Sequence, residues 1–298
     1  MATSAPGRFA YRGRELDIGG RRVFVREAVP PTGRPAAAPA TEALILLHGW
    51  VGTSSWMFRH VMPELGSRYH VIAPDLPGFG RSRTLADVPS IDAYAEFVLS
   101  LADALEVDRF HLVGVSVGGT IAMAFAHRYP ERVAKLCLQG PVYRGTDLPK
   151  RFRFLYDMLG RTGLIEVVPK MPIKWWFFVR RLDFGRDTRH LSKEDRRQLG
   201  RDILRVPNET LVEVARQLLT LDLTETARRI CLPTLVMDGS EARLVPAKAS
   251  RHLSRLIPGA AWHLVDDAAH NLVLEKPEEF LAALIPFLES DAGIASRS

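Results

Sequence analysis

Short runs of continuously apolar residues recur along the chain, and each ends at a turn signal. Residues 43–47 stop at His48-Gly49, 70–73 at Pro74-Asp75, 110–113 at Gly114, 133–138 at Gln139-Gly140 and 234–237 at Asp238-Gly239. Apolar residues at every position, rather than at alternate ones, are the mark of strands buried on both faces of a parallel sheet. Between these runs lie helical patterns, over 91–105 and over 120–127, the latter stopped by Pro130. Two strand-like runs, 15–18 and 22–28, open the chain ahead of a Pro- and Ala-rich connector at 30–40. Strand and helix alternate at βαβ spacing, which predicts an α/β fold with a mainly parallel sheet flanked by helices.

The alternation fails between residues 141 and 230, where helical, Arg-rich segments replace strands before Leu232-Pro233-Thr234 restores the pattern. The expected organisation is therefore a core of residues 1–140 and 231–298 with a helical cap inserted at 141–230. That insertion holds 19 Lys and Arg against 12 Asp and Glu, so it accounts for the chain's net charge of +6. Its interleaved acids, Asp183, Asp187, Glu194, Asp195 and Asp202, would repel phosphate, so no nucleic-acid partner is expected. Phe and Trp beside the arginines leave contact with an anionic membrane surface as an open reading.

With 298 residues, 47% of them apolar, the chain has ample material for one large core and is not a disordered sequence. No uncharged apolar run approaches the length of a spanning helix, and the polar N-terminal stretch has no apolar signal region, so the cytoplasm is the default location. Cys137 and Cys231 cannot make a disulfide framework; both sit in apolar sequence and read as buried free thiols. No metal-ligand spacing and no phosphate-cradling glycine loop occur, so neither a metal nor a cofactor is expected. Nothing in the sequence indicates an oligomeric state.

Gly114-Val115-Ser116-Val117-Gly118 fits G-x-S-x-G, the sharp strand-to-helix turn that lifts a serine hydroxyl above the end of a sheet. The pattern alone is weak, but an apolar strand ends at it and a small-residue helix starts from it. A serine needs a base to take its proton, and histidine has the pKa for that task near neutrality. Of nine histidines, His270 alone sits in a short loop, 266–271, between a strand-like run and a final helix. His48 reads instead as a residue that holds the loop after the first core strand by hydrogen bonding.

These features together resemble the α/β-hydrolase superfamily, in its branch of capped esterases and lipases. The resemblance covers about residues 20 to 290. It rests on the serine motif, on His48-Gly49-Trp50, on Asp75-Leu76-Pro77-Gly78-Phe79-Gly80-Arg81-Ser82, and on His270 followed by Glu275-Lys276-Pro277. It implies Ser116 as nucleophile, His270 as general base, and the backbone N–H groups of Trp50 and Val117 as the oxyanion hole. The implied substrate is a small-molecule carboxylic ester, with no cofactor. The cap of this branch roofs the site, which makes Trp175 and Trp176 candidate substrate-binding residues and points to a hydrophobic ester.

The third member of the triad departs from that pattern. Gly239-Ser240-Glu241-Ala242-Arg243-Leu244-Val245-Pro246 aligns without a gap, and the usual aspartate position holds Ala242, which can neither accept the imidazole N–H nor stabilise imidazolium. Glu241, one residue away with a longer side chain, is the candidate substitute. The alternatives are a Ser–His dyad, a binding protein descended from an enzyme and holding a small apolar ligand under its cap, and an aspartate replaced by alanine. Gln139 stands at another acid location of the superfamily and can orient a histidine without supplying charge.

Overall fold

The apolar runs become strands of one eight-stranded sheet with the order β1-β2-β4-β3-β5-β6-β7-β8. The computed structural model describes residues 10–30, 42–50, 52–82, 89–164, 167 and 190–290. The strands are β1 (Ala10–Ile18), β2 (Arg21–Val29), β3 (Ala43–Leu47), β4 (His70–Pro74), β5 (Phe110–Val115), β6 (Val133–Gln139), β7 (Thr234–Gly239) and β8 (Ala261–Val265). Pairing from β4 through β8 is parallel, and only β1 with β2 and β2 with β4 run antiparallel. Every residue of β3, β5 and β7 is buried, as continuous apolar runs require.

The first two strands are longer than the sequence suggested. β1 starts at Ala10 rather than residue 15, because the hairpin closed by Gly19 and Gly20, both at positive φ, pairs without a break from Ile18–Arg21 out to Ala10–Val29. Arg14 holds this extension with two hydrogen bonds to the buried carboxylate of Glu27.

Helices cover both faces. They are α1 (Ser54–Met57), α2 (Met62–Gly66), α3 (Ile91–Ala104), α4 (Val117–Arg128), α5 (Lys150–Arg161), α6 (Lys193–Arg205), α7 (Asn208–Thr220), α8 (Thr224–Arg229), α9 (Ala247–Leu256), α10 (Leu272–Glu275) and α11 (Pro277–Glu289). Ser90 caps α3 by accepting the Ala93 N–H. In α4 every residue from Val117 to Ala126 is buried, so this helix lies inside the molecule with no solvent face over that stretch.

Among the described residues four helices, α5 to α8, lie between β6 and β7, where the sequence loses its strands. Trp175 and Trp176, with Arg180, Arg181, Arg186 and Arg189, lie outside the described residues. Cys137 is buried, but Cys231 is exposed, contrary to expectation: it sits on the short surface link between α8 and β7, where a local apolar run is not a core. Among the described residues no helix is long and apolar enough to cross a membrane.

The strand order positions the site. Leaving β4, the chain crosses over β3 to form β5, so the loops at the carboxyl ends of β3 and β5 open side by side at the point where the winding reverses.

Candidate active site

Ser116 joins the end of β5 to the start of α4 at φ 54 and ψ −116, a left-handed conformation that a residue with a Cβ adopts at a cost of about 1–3 kcal/mol. The turn holds because its glycines let backbones touch. A Cβ on Gly114 would collide with the Gly118 carbonyl, and one on Gly118 with the Leu47 carbonyl of β3. The Ser116 N–H donates to Gln139 O at 2.8 Å, which ties the turn to the end of β6. Val117 is the first residue of α4, a position whose N–H has no acceptor within the helix.

The loop after β3 passes directly beside the serine: the Cβ position of Gly49 lies 3.2 Å from Ser116 Cβ. His48 fixes this loop. Its Nε2 accepts the Leu76 N–H at 2.9 Å, so its Nδ1 carries the proton and donates to Gly49 O at 2.8 Å. Full burial lowers the His48 pKa, which keeps the ring neutral in this bridging role. Asp75 clamps the neighbouring segment, accepting from Ser54 N and Oγ at 2.8 and 2.6 Å and from Arg81 N at 2.9 Å. Ser82 closes it by donating to Asp75 O at 2.6 Å and accepting from Phe24 N at 3.0 Å. Trp50 is buried with its ring edge-on to Phe152 of α5, centroids 6.1 Å apart. Met57 supports the loop from below, its Sδ accepting the Gly49 N–H at 3.3 Å, while Trp56 and Phe58 pack into the core.

His270 is buried on the loop after β8, and that loop is held from two sides. Gln139 Nε2 donates to the His270 carbonyl at 2.9 Å. Glu275 accepts the N–H groups of the residues flanking the histidine, Ala269 at 2.7 Å and Asn271 at 3.1 Å. Gln139 thus connects both catalytic candidates, the serine through its backbone carbonyl and the histidine loop through its side chain. It orients the histidine without supplying charge, through the His270 carbonyl. Glu275 belonged to the recognised motif, but its task was not apparent there.

The ring itself has no such support. Among the described residues neither Nδ1 nor Nε2 of His270 has a hydrogen-bond partner. Burial without a stabilising carboxylate pushes its pKa down to about 4. Ala242 is 8% exposed and faces inward on the loop after β7, so the position aligned with the usual aspartate is a buried one. Glu241 does not replace it. Its side chain is 36% exposed and its Oε2 lies 3.0 Å from His190 Nε2, while its backbone N–H donates to Ala268 O at 2.8 Å. A buried carboxylate, Asp238, lies close by: its Oδ1 and His270 Nδ1 lie 3.5 and 3.0 Å from the Cβ position of Gly140. It is engaged elsewhere, accepting Gly239 N–H at 2.9 Å and the Ser250 hydroxyl at 2.6 Å. Among the described residues no three His, Cys, Asp or Glu side chains cluster as metal ligands.

A model of the α/β-hydrolase fold matches residues 42–277. The chain belongs to this family. A pyrrolizixenacetamide deacetylase of Xenorhabdus hominickii is 30% identical over 258 residues, 83% of this chain and 91% of that protein. A 2-hydroxy-6-oxononadienedioate/2-hydroxy-6-oxononatrienedioate hydrolase of Paraburkholderia phymatum is 33% identical over 260 residues, 83% and 87% of the two chains. Among solved structures, a thermophilic esterase from Thermogutta terrifontis superposes with a TM-score of 0.72 at 23% identity, covering 93% of this chain and 98% of that one, a likeness of fold. Family and relatives support an enzyme of the α/β-hydrolase type.

Proposed function

We propose that this chain is a serine hydrolase of small carboxylic esters that works through an acyl-enzyme with a base lacking its usual acid. The observation that carries the reading is Ser116, held in a strained turn at the head of α4 with the Gly49 loop against it and the His270 loop tied to the same residue, Gln139. In this reading the Ser116 hydroxyl attacks the ester carbonyl and His270 takes its proton. The N–H groups of Val117 and Trp50 receive the negative oxygen, and the alcohol leaves with the proton returned by His270. Water, deprotonated by His270, then releases the carboxylic acid and frees the serine. The helices between β6 and β7 act as the cap, and the apolar contact of Phe152 with Trp50 favours a hydrophobic substrate. The relatives' names span different substrates, so the ester class rests on the site and not on them.

Ala242 gives the second reading its footing: a protein that binds a small apolar ligand beneath these helices and turns over slowly or not at all. A fluorophosphonate ester separates the two, since it is attacked by an activated serine, losing fluoride and leaving the phosphonyl group on Oγ. The serine-hydrolase reading expects a single adduct on the Ser116 peptide, absent in Ser116→Ala, and hydrolysis of nitrophenyl esters. No adduct and no hydrolysis would favour the binding protein.

A further inference from the structure

Helix α5 turns a mixed apolar and cationic stripe outward. Arg151, Phe154, Met158 and Arg161 follow one another at steps of three, four and three residues, so they lie along one side of the helix. Phe154 is 71% exposed and Met158 40%, whereas the buried residues of this helix are Phe152 and Leu159. A lone exposed phenylalanine is unremarkable, but here Met158 shares its side of the helix one turn on, and Leu164, just beyond the helix, is also exposed.

Helix α6 repeats the arrangement with more charge. Among its described side chains Asp195, Leu199 and Asp202 are buried, while Lys193, Arg196, Arg197, Gly200, Arg201 and the exposed Leu204 line an open cavity. Of the acids that interrupt the basic run in the sequence, Asp195 and Asp202 are therefore not on that surface, Glu194 is exposed, and Asp183 and Asp187 lie outside the described residues. Asp195 pairs with Arg59 and lies 3.7 Å from His60, and Asp202 accepts from Thr53 at 3.4 Å and Gln198 at 2.9 Å. The exposed residues of the two helices comprise nine Lys and Arg against two acids, Asp157 and Glu194.

Both inner faces rest on one stretch of the core. Phe152 of α5 meets Trp50, while Asp202 and Asp195 of α6 meet Thr53 and Arg59. The outer faces accordingly point away from the sheet, above the loop that borders Ser116.

We propose that this outer face docks the enzyme on an anionic phospholipid bilayer. The cations complement the headgroup charge, and Phe154, Met158 and Leu164 enter the boundary between headgroups and acyl chains. A nucleic acid would engage the same cations but leave those apolar side chains and Leu204 in water. A second copy of the chain would set like charge against like charge. Docking by this face brings the Ser116 site beside the lipid phase. The further consequence, that the substrate is a hydrophobic ester drawn from the bilayer, rests on the ester-hydrolase reading; the docking does not.

The test is cosedimentation of the full chain with vesicles of phosphatidylcholine alone and of phosphatidylcholine mixed with phosphatidylglycerol. The chain is expected to pellet with the mixed vesicles, to be released by salt, and to ignore the neutral ones. At about fivefold per cation, Arg196→Gln/Arg197→Gln/Arg201→Gln lowers partitioning by about 100-fold. Phe154→Ser/Met158→Ser lowers it by about tenfold and leaves hydrolysis of a water-soluble nitrophenyl ester unchanged. Absence of binding to mixed vesicles, binding untouched by both variants, binding to oligonucleotides but not to vesicles, or a solution dimer split by Phe154→Ser/Met158→Ser would each overturn the proposal. Failure of ester hydrolysis with vesicle binding intact would instead count against the ester reading alone.

Discussion

The two sides of the candidate site are built by different means. On the serine side, geometry comes from the backbone: a strained turn, glycines at Gly114 and Gly118 that let strands and helix touch, and a loop locked by the neutral ring of His48. On the histidine side the loop is fixed as firmly, by Gln139 and Glu275, yet the ring it carries has no partner on either nitrogen among the described residues. Placing a base and activating it are thus separable tasks. The main chain holds the His270 loop, and in the proposed mechanism activation of the ring would fall to a side chain at the position where this chain has Ala242.

The sharpest way to break that contrast is at the nucleophile. Ser116→Ala is expected to lower kcat on nitrophenyl esters by at least about 10²-fold, measured at saturating substrate, because triad members act as a unit and the acid is already absent, while leaving the thermal midpoint within a few degrees. Opposite in sign is Ala242→Asp, which supplies a carboxylate from a buried position on the loop after β7. Loss of the triad acid costs serine proteases about 10⁴-fold, so restoring it here is expected to raise kcat by about 10²–10⁴-fold. Glu275→Ala unties two backbone N–H groups around His270. A stability loss of about 2–3 kcal/mol in urea unfolding should accompany a fall in kcat/KM of about tenfold. The smallest effect belongs to Glu241→Gln, expected to change kcat by less than about twofold, because its carboxylate meets His190 at the surface.

Much of this was readable in the sequence because it is written in local patterns. Continuous apolar runs gave β3 to β7 close to their observed limits, and four motifs in order gave the turn at Ser116 and the loop at His270. What escaped was carried by long-range pairing. The start of β1 depends on cross-strand register and on Arg14 with Glu27, not on an apolar run of its own. The link from Gln139 to His270 spans 131 residues, and the burial of Ala242 beside a Glu241 that meets His190 is a matter of tertiary packing. The burial of single charges is likewise set by tertiary packing: Asp195 and Asp202 alternate with arginines in sequence but lie on the buried face of α6, where Arg59 and Thr53 receive them.

Whether His270 works as the proposed base without a carboxylate is read most directly from its proton affinity. Burial without a partner pushes its pKa down to about 4, so the neutral ring persists through the mildly acidic range and is lost as pH falls through about 4. The measurement is the acid limb of kcat/KM against pH for this chain and for Ala242→Asp. A limb near pH 4 is expected, moving upward toward the ordinary imidazole range once a carboxylate at 242 stabilises the charged ring. A limb already in that range and unmoved by Ala242→Asp would show that another acid partners His270 and would overturn the unsupported base.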